Sequence, residues 1–185
     1  MRVVAGEAKG RALVVPKGGG TRAATDRIRE SLFAILEPRL ADAAVLDLFA
    51  GAGTLGIEAL SRGALRATFV ERGAPAIAAL RRNLHATGYA GRARVVRANV
   101  LSYLAGADEA GPYDLVFCDP PFADVGILTA TLAHAGLRSR LEPDALVVAR
   151  LLRKHRPELP PSARIGRSKE IGEETLMFVR YDSRG

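Results

Sequence analysis

At 185 residues, 48% hydrophobic and with a net charge of +7, the chain is long enough for one substantial core and too short for two ordinary domains joined by a linker. No apolar run reaches the roughly 18 to 20 residues a membrane span needs, and the start, MRVVAGEAKGR, lacks a signal-peptide core. One cysteine, Cys118, and three scattered histidines exclude an internal disulfide and a Cys/His metal site, so a cytoplasmic protein without a metal is expected.

Two short β-like runs, RVVAG and RALVVP, precede a Gly-rich turn. In ATDRIRESLFAIL, Ile28, Leu32, Ile35 and Leu36 then fall on one helical face, and Pro38 ends the helix. From there strand and helix alternate: strands over 44–49, 66–71, 93–99, 113–119 and 145–152. The intervening helices run from Thr54 to about Arg62, from about Pro75 to His85 and from about Val125 to Ala135. Near-continuous apolar strands separated by helices predict a parallel sheet covered on both faces. The tail, RIGRSKEIGEETLMFVRYD, reads as two strands around a Gly-containing turn and predicts a closing antiparallel hairpin.

The charge excess sits at the ends. Lys+Arg against Asp+Glu is 7 against 3 over residues 1–30, 11 against 12 over 31–149 and 9 against 5 over 150–185. A nucleic-acid partner would explain a basic rim around a neutral core; an Arg-rich habit that merely solvates the surface is the other reading.

The stretch DLFAGAGTLG holds G-x-G-x-x-G in Gly51, Gly53 and Gly56, the fingerprint of a dinucleotide site. Asp47, four residues before Gly51, argues against a pyrophosphate there, since like charges ~4 Å apart repel by roughly 4 kcal/mol at an intermediate dielectric. S-adenosylmethionine has no phosphate and carries a sulfonium and an ammonium, which an acid near the turn attracts; a strand-end acid capping a turn is the plainer alternative. Glu71 ends the next strand 20 residues after Gly51, where an acid accepts ribose hydroxyls. Asn99 ends the third strand, where it could accept from an adenine amino group or serve as a turn residue. The candidate cofactor set is Asp47, Phe49, Gly51, Gly53, Glu71, Arg72, Asn99 and Val100.

The fourth strand ends in Asp119, Pro120, Pro121 and Phe122. Prolines have no N–H, so the turn offers carbonyls and a carboxylate, all acceptors, beside an aromatic face. That suits a planar exocyclic amine, which must pyramidalise to attack a methyl group. Acceptors on its hydrogens favour that geometry, stacking on Phe122 holds the base, and alignment permits a direct in-line transfer. A rigid strand-to-helix turn is the bland alternative.

With these motifs in view, the chain resembles the guanine-N2 methyltransferases of bacterial 16S ribosomal RNA. The similarity runs through RVVAGEAKGRAL, TRAATDRIRESLFAIL, VLDLFAGAGTLGIEALSRGA, FVE and DLVFCDPPF; TRAATDRIRESLF is its specific part. The resemblance implies a Rossmann-like class I methyltransferase fold, α/β, with a seven-stranded mostly parallel sheet. It also implies an N-terminal β-hairpin and helix extension over 1–38, a cofactor-binding core over 39–185, S-adenosylmethionine as methyl donor, a small-subunit RNA partner and a monomer. Departures are Asn99 where the family commonly has Asp, Ala23 for Pro, Ala34 for Asn, and ARLLRKHRPELPP where an acid usually follows the strand.

Lys9, Arg11, Arg22, Thr25, Arg27 and Arg29 are candidates to grip RNA phosphates and close over the cofactor; a solvated helix face is the alternative. Competing functions are a DNA adenine-N6 methylase, a protein glutamine methylase, a nicotinamide oxidoreductase and a non-catalytic RNA-binding module.

Overall fold

In the computed structural model, residues 1–16, 24–107, 110–121, 124–155 and 157–182 are described. Helix α1 (Asp26–Leu36) is followed by β1 (Ala44–Leu48), α2 (Thr54–Ser61), β2 (Arg66–Glu71), α3 (Ala74–Thr87), β3 (Ala93–Arg97), α4 (Val100–Ala105) and β4 (Tyr113–Cys118). Then come α5 (Val125–Ala133), α6 (Ala135–Ser139), β5 (Leu141–Leu152), β6 (Ala163–Ile171) and β7 (Glu174–Tyr181). Among the described residues these strands form one seven-stranded sheet of order β3-β2-β1-β4-β5-β7-β6. Strands β1 to β5 run parallel, and β7 pairs antiparallel with both β5 and β6. The tail hairpin thus returns to the sheet through its second strand.

The apolar side chains fall into two clusters, one on each face of the sheet. One face packs α1, α2, α3 and the N-terminal segment, through residues such as Phe33, Ile57, Leu80 and Leu13. The other packs α4, α5 and α6 through Leu104, Leu132 and Leu137. In α1, Phe33 meets Phe117 of β4 with ring centroids 5.8 Å apart and planes at 59°, a tilted pair contributing ~0.5–1.5 kcal/mol beyond area burial.

The expected N-terminal hairpin is present as an antiparallel bridge between Arg2 and Ala12, closed by Val3 N–H to Arg11 C=O at 3.0 Å, Gly10 N–H to Val3 C=O at 2.9 Å and Leu13 N–H to Met1 C=O at 2.7 Å, and the segment also bonds to the core. The Val4 and Ala5 N–H groups donate to Glu58 of α2 at 2.8 and 2.9 Å. Ala8 N–H donates to Ser61 Oγ at 3.0 Å, and Val14 exchanges two bonds with Asn83 of α3. Val3, Ala8 and Leu13 belong to the same apolar cluster as α1 and α2.

Helix α4 was not legible in the sequence; at six residues it is too short to show a helical period. The helix expected to run to Ala135 stops at Ala133, where His134 takes an extended backbone and its Nδ1 accepts from Gly136 N–H to start α6.

The order of strands reverses between β1 and β4. In an open α/β sheet the crevice outside the carboxyl ends at that switch is where ligands bind. Both motifs of the sequence, the glycine turn after β1 and Asp119-Pro120-Pro121 after β4, open onto it.

Candidate active site

The glycine turn is built for close packing. Gly53 caps α2 in the left-handed region at φ 80°, which side-chain-bearing residues rarely adopt. A Cβ on Gly56 would stand 2.3 Å from the Phe69 ring of β2, so α2 approaches the sheet only because this residue has none. Phe49 takes φ 61°, an unusual conformation for a bulky residue.

Asp47 serves the turn from inside. It is 2% exposed, and its Oδ2 accepts from Gly56 N–H at 2.9 Å. Burial pushes its carboxyl up to about 8, against the opposing pull of the Gly56 bond and with help from the nearby Asp119 and Glu71 charges. Its described role is thus the turn-capping one; an open carboxylate facing the crevice is not what the fold provides. Glu71 is the surface acid of the turn. Its Oε2 accepts from Gly51 N–H at 2.9 Å, and its Oε1 accepts from the Arg72 and Gly73 N–H groups at 2.8 and 2.7 Å. One carboxylate therefore ties the glycine turn to the end of β2 and keeps lone pairs for a ligand.

Beside it opens a cavity of about 360 Å³, into which Phe49, Glu71, Arg72, Asn99, Val100 and Pro121 face. Five of the eight cofactor candidates thus share one pocket with one of the tetrapeptide prolines. Asp47, Gly51 and Gly53 shape it from outside. Asn99 caps α4, its Oδ1 accepting from Leu101 N–H at 2.9 Å, so its oxygen does the turn work named as the alternative to an adenine contact. Val70, Ala98 and Ile127 add apolar walls. An acceptor acid beside apolar walls fits the ribose and adenine of S-adenosylmethionine.

The tetrapeptide differs from the acceptor cluster expected. Pro121 C=O accepts from Asp124 N–H at 3.0 Å, so that carbonyl is used within the turn. Asp119 is gripped by Arg150 of β5, Nε to Oδ1 at 2.8 Å and Nη2 to Oδ2 at 3.0 Å. Arg150, itself 3% exposed, donates through Nη1 to Glu174 Oε2 of β7 at 2.8 Å. Burial raises the Asp119 carboxyl above its ordinary range, and the Arg150 guanidinium works against that shift. The fork geometry is that of an ionised carboxylate. Arg150 and Glu174 were missed in the sequence, although a cation inside the apolar run ALVVARLL demands a buried partner. Phe122 lies outside the described residues.

The RNA candidates separate. Arg29 is 0% exposed: it bonds Asp26 at 2.7 Å, Glu58 at 3.3 Å and Arg2 C=O at 2.6 Å. It is a buried strut and is removed from the phosphate set. Thr25 caps α1, its Oγ1 accepting from Ile28 N–H at 3.3 Å. Lys9 is exposed, but its turn pairs with the end of α2, through Glu7 N–H to Ser61 C=O at 2.8 Å, and with Arg92 just before β3. That is the amino end of the parallel strands, away from Asp119. Arg11 and Arg27 are exposed, Arg27 at the start of α1. Arg22 lies outside the described residues. Glu58 was also missed; it accepts from Val4, Ala5, Arg29 and Arg62.

Among the described residues no cluster of His, Cys, Asp or Glu could hold a metal, and no helix is long and apolar enough to cross a membrane.

Comparison with known proteins agrees with this geometry. The chain is 39% identical over 186 residues to ribosomal RNA small subunit methyltransferase D of Escherichia coli (strain K12), covering 100% of this chain and 92% of that one. It is 39% identical over 150 residues to the putative rRNA methyltransferase YlbH of Bacillus subtilis, 80% of this chain and 81% of that one. Among solved structures, the putative methyltransferase yhhF from Escherichia coli superposes with a TM-score of 0.86 at 37% identity, covering 100% and 99% of the two chains. A putative RNA methyltransferase from Pyrococcus horikoshii, at 17% identity and a TM-score of 0.69 over 92% and 94% of the chains, shares the fold. The model of the family described as Conserved hypothetical protein 95 matches residues 1–180, and the chain belongs to that family, with the small-subunit ribosomal RNA methyltransferases D as its relatives.

Proposed function

We propose that this chain transfers a methyl group from S-adenosylmethionine to the exocyclic N2 amine of a guanine in 16S ribosomal RNA. The observation that carries the reading is the meeting, at one switch point, of the Glu71-tied glycine turn, its pocket and the Asp119 turn. The names of the relatives support an RNA substrate on the small subunit.

Glu71 would accept the ribose hydroxyls, Phe49 and Val100 would wall the adenine, and the turn that Asp47 and Gly53 hold in shape would receive the methionine end. When bound, the cofactor supplies an electrophilic methyl on a sulfonium. Asp119, kept ionised and oriented by Arg150, accepts an N–H of the guanine amine. With the Pro120 C=O beside it, the carboxylate favours a pyramidal nitrogen with its lone pair free, and takes up developing positive charge. As the new bond forms the nitrogen becomes acidic and releases its proton along the hydrogen bond to Asp119, so no strong base is required. Alignment supplies the remaining rate enhancement. Phe122 is the candidate to stack on the base, and Arg22 and Arg27 are the candidate N-terminal phosphate contacts. The enzyme works as a cytoplasmic monomer on the small subunit or its assembly intermediate, without a metal.

Calorimetry with S-adenosylhomocysteine against NAD tests the cofactor: the first binds and the second does not. Asp119→Ala abolishes methyl transfer while keeping S-adenosylhomocysteine affinity within about tenfold, because its role is at the amine. Tight NAD binding, or full turnover by Asp119→Ala, would contradict the reading.

A further inference from the structure

Strand β6 closes one edge of the sheet and is exposed at every position from Arg164 to Glu170. Its register with β7 shifts between Ile165 and Arg167, so that Gly166 is the extra residue of a bulge. A bulge re-aims the side chains that follow it. Arg164 stands opposite Arg180, Arg167 opposite Phe178 and Lys169 opposite Leu176. Phe178 and Leu176 belong to the apolar cluster on the α1 face. Residues directly opposite share a face, and alternate residues along a strand return to it. The bulge therefore gathers Arg164, Arg167, Lys169 and Arg180 onto the α1 face. In a regular strand Arg164 and Arg167, an odd number of residues apart, would stand on opposite faces.

Arg164 is paired with Asp182. Arg167, Lys169 and Arg180 have no carboxylate partner among the described residues, while the acids near them are engaged elsewhere: Glu174 with Arg150 and Glu170 with Arg153. The Arg180 side chain lies over Gly166, its Cδ and Nε 3.8 Å from where a Cβ would sit. This face is also aligned with the active site. Cys118 stands opposite Ala149, so Asp119 falls opposite Arg150, which is opposite Leu176, which is opposite Lys169. Lys169 thus lies in the same cross-strand row as Asp119, three strand spacings or about 14 Å away. Helix α1 occupies the same face, and Arg27 stands at its first turn.

We propose that the α1 face of the β6–β7 hairpin, through Arg167, Lys169 and Arg180, binds the phosphate backbone of the RNA substrate on the side of the amine site away from the glycine turn. The inference rests on the ribosomal RNA reading and adds a second contact surface to it. Three unpartnered cations on one face match a polyanion, and their row leads to the residue proposed to meet the base. Contacts of this kind set the register of the substrate without reading its sequence. The competing role for cations on an edge strand is protection against edge-to-edge pairing, which predicts no effect on RNA binding.

The test measures binding of the full chain to a 16S ribosomal RNA transcript across a series of KCl concentrations. The variants are Arg167→Gln/Lys169→Gln and, removing equal charge from exposed α3, Arg81→Gln/Arg82→Gln. S-adenosylhomocysteine affinity serves as the check of folding. Two lost phosphate contacts lower the slope of log K against log salt by about 1.5 for the β6 variant, and the α3 variant keeps the wild-type slope. Equal slopes for wild type and the β6 variant would overturn the inference and leave edge protection; equal changes in both variants would overturn it as an effect of net charge. In those cases wild-type methyl transfer to small subunits keeps the functional reading intact. A wild-type chain that neither binds the transcript nor methylates small subunits removes that reading and this inference with it.

Discussion

Arg150 holds both carboxylate oxygens of Asp119, at 2.8 and 3.0 Å, and is itself held by Glu174 at 2.8 Å. The tetrapeptide acid is therefore supported by a residue of β5 and one of β7, two strands beyond the motif in sequence. Breaking such a pair from one side leaves a buried charge without compensation, typically at a cost of about 3–5 kcal/mol.

Arg150→Gln should accordingly lower stability by about that amount in denaturant unfolding. With the guanidinium gone, burial and the Glu174 charge act on Asp119 unopposed and raise its pKa further. The group accepts the amine hydrogen best when ionised, so the acid limb of the pH–rate profile moves to higher pH while S-adenosylhomocysteine affinity stays near wild type. Arg150→Lys recovers part of the shift. A fall in rate with an unmoved pH profile would mean that Arg150 is structural only.

Asp47 makes the stability of the fold pH-dependent. Its carboxyl is raised to about 8 by burial. A group whose folded pKa exceeds its ordinary value favours folding below that value, and the contribution fades as pH rises through the folded pKa. Denaturant unfolding followed from about pH 4 to 9 should therefore show a stability component that declines up to about pH 8 and that Asp47→Asn removes. A pH dependence identical in wild type and Asp47→Asn would contradict the assignment.

Glu58 is 0% exposed and anchors both the N-terminal segment and Arg29. Glu58→Gln should cost about 3–5 kcal/mol and free the N-terminal segment. The Val4 and Ala5 amides then lose hydrogen-exchange protection well before the β1 amides do. Unchanged protection at Val4 and Ala5 would show that the apolar contacts of Val3 and Leu13 hold the segment unaided.

Glu71→Ala removes the proposed ribose acceptor together with the brace on Gly51. Hydrogen bonds to a charged group contribute roughly 1.5–3 kcal/mol, so S-adenosylhomocysteine affinity falls by about 10- to 100-fold, with Glu71→Gln intermediate. Wild-type affinity in Glu71→Ala would exclude this pocket as the ribose site.

The parallel core was readable because each strand is an apolar run and each long helix an apolar stripe, and both periodicities survive in a single sequence. The glycine turn, Glu71 and the tetrapeptide were readable because strand ends at a switch point are where such residues have work to do. What escaped reading depended on contacts distant in sequence. Arg29 was read as part of a polar face, although it shares a stripe with Phe33 and Leu36; its partner Glu58 is 29 residues away. Arg150 had a comparable signal in its apolar strand, but the identity of its partners is set by strand order. Asp47 carries a plausible charge for the cofactor, and only the packing of α2 against β1 and β2 shows that its carboxylate faces Gly56 N–H.

The proposed activity is methylation of a guanine amine on the small subunit. Its most direct test is transfer of labelled methyl from S-adenosylmethionine to small subunits lacking the modification, followed by nucleoside analysis. Label is expected in N2-methylguanosine with wild-type protein and none with Asp119→Ala. Label confined to N6-methyladenosine, or no label from a folded chain that binds S-adenosylhomocysteine, would contradict it.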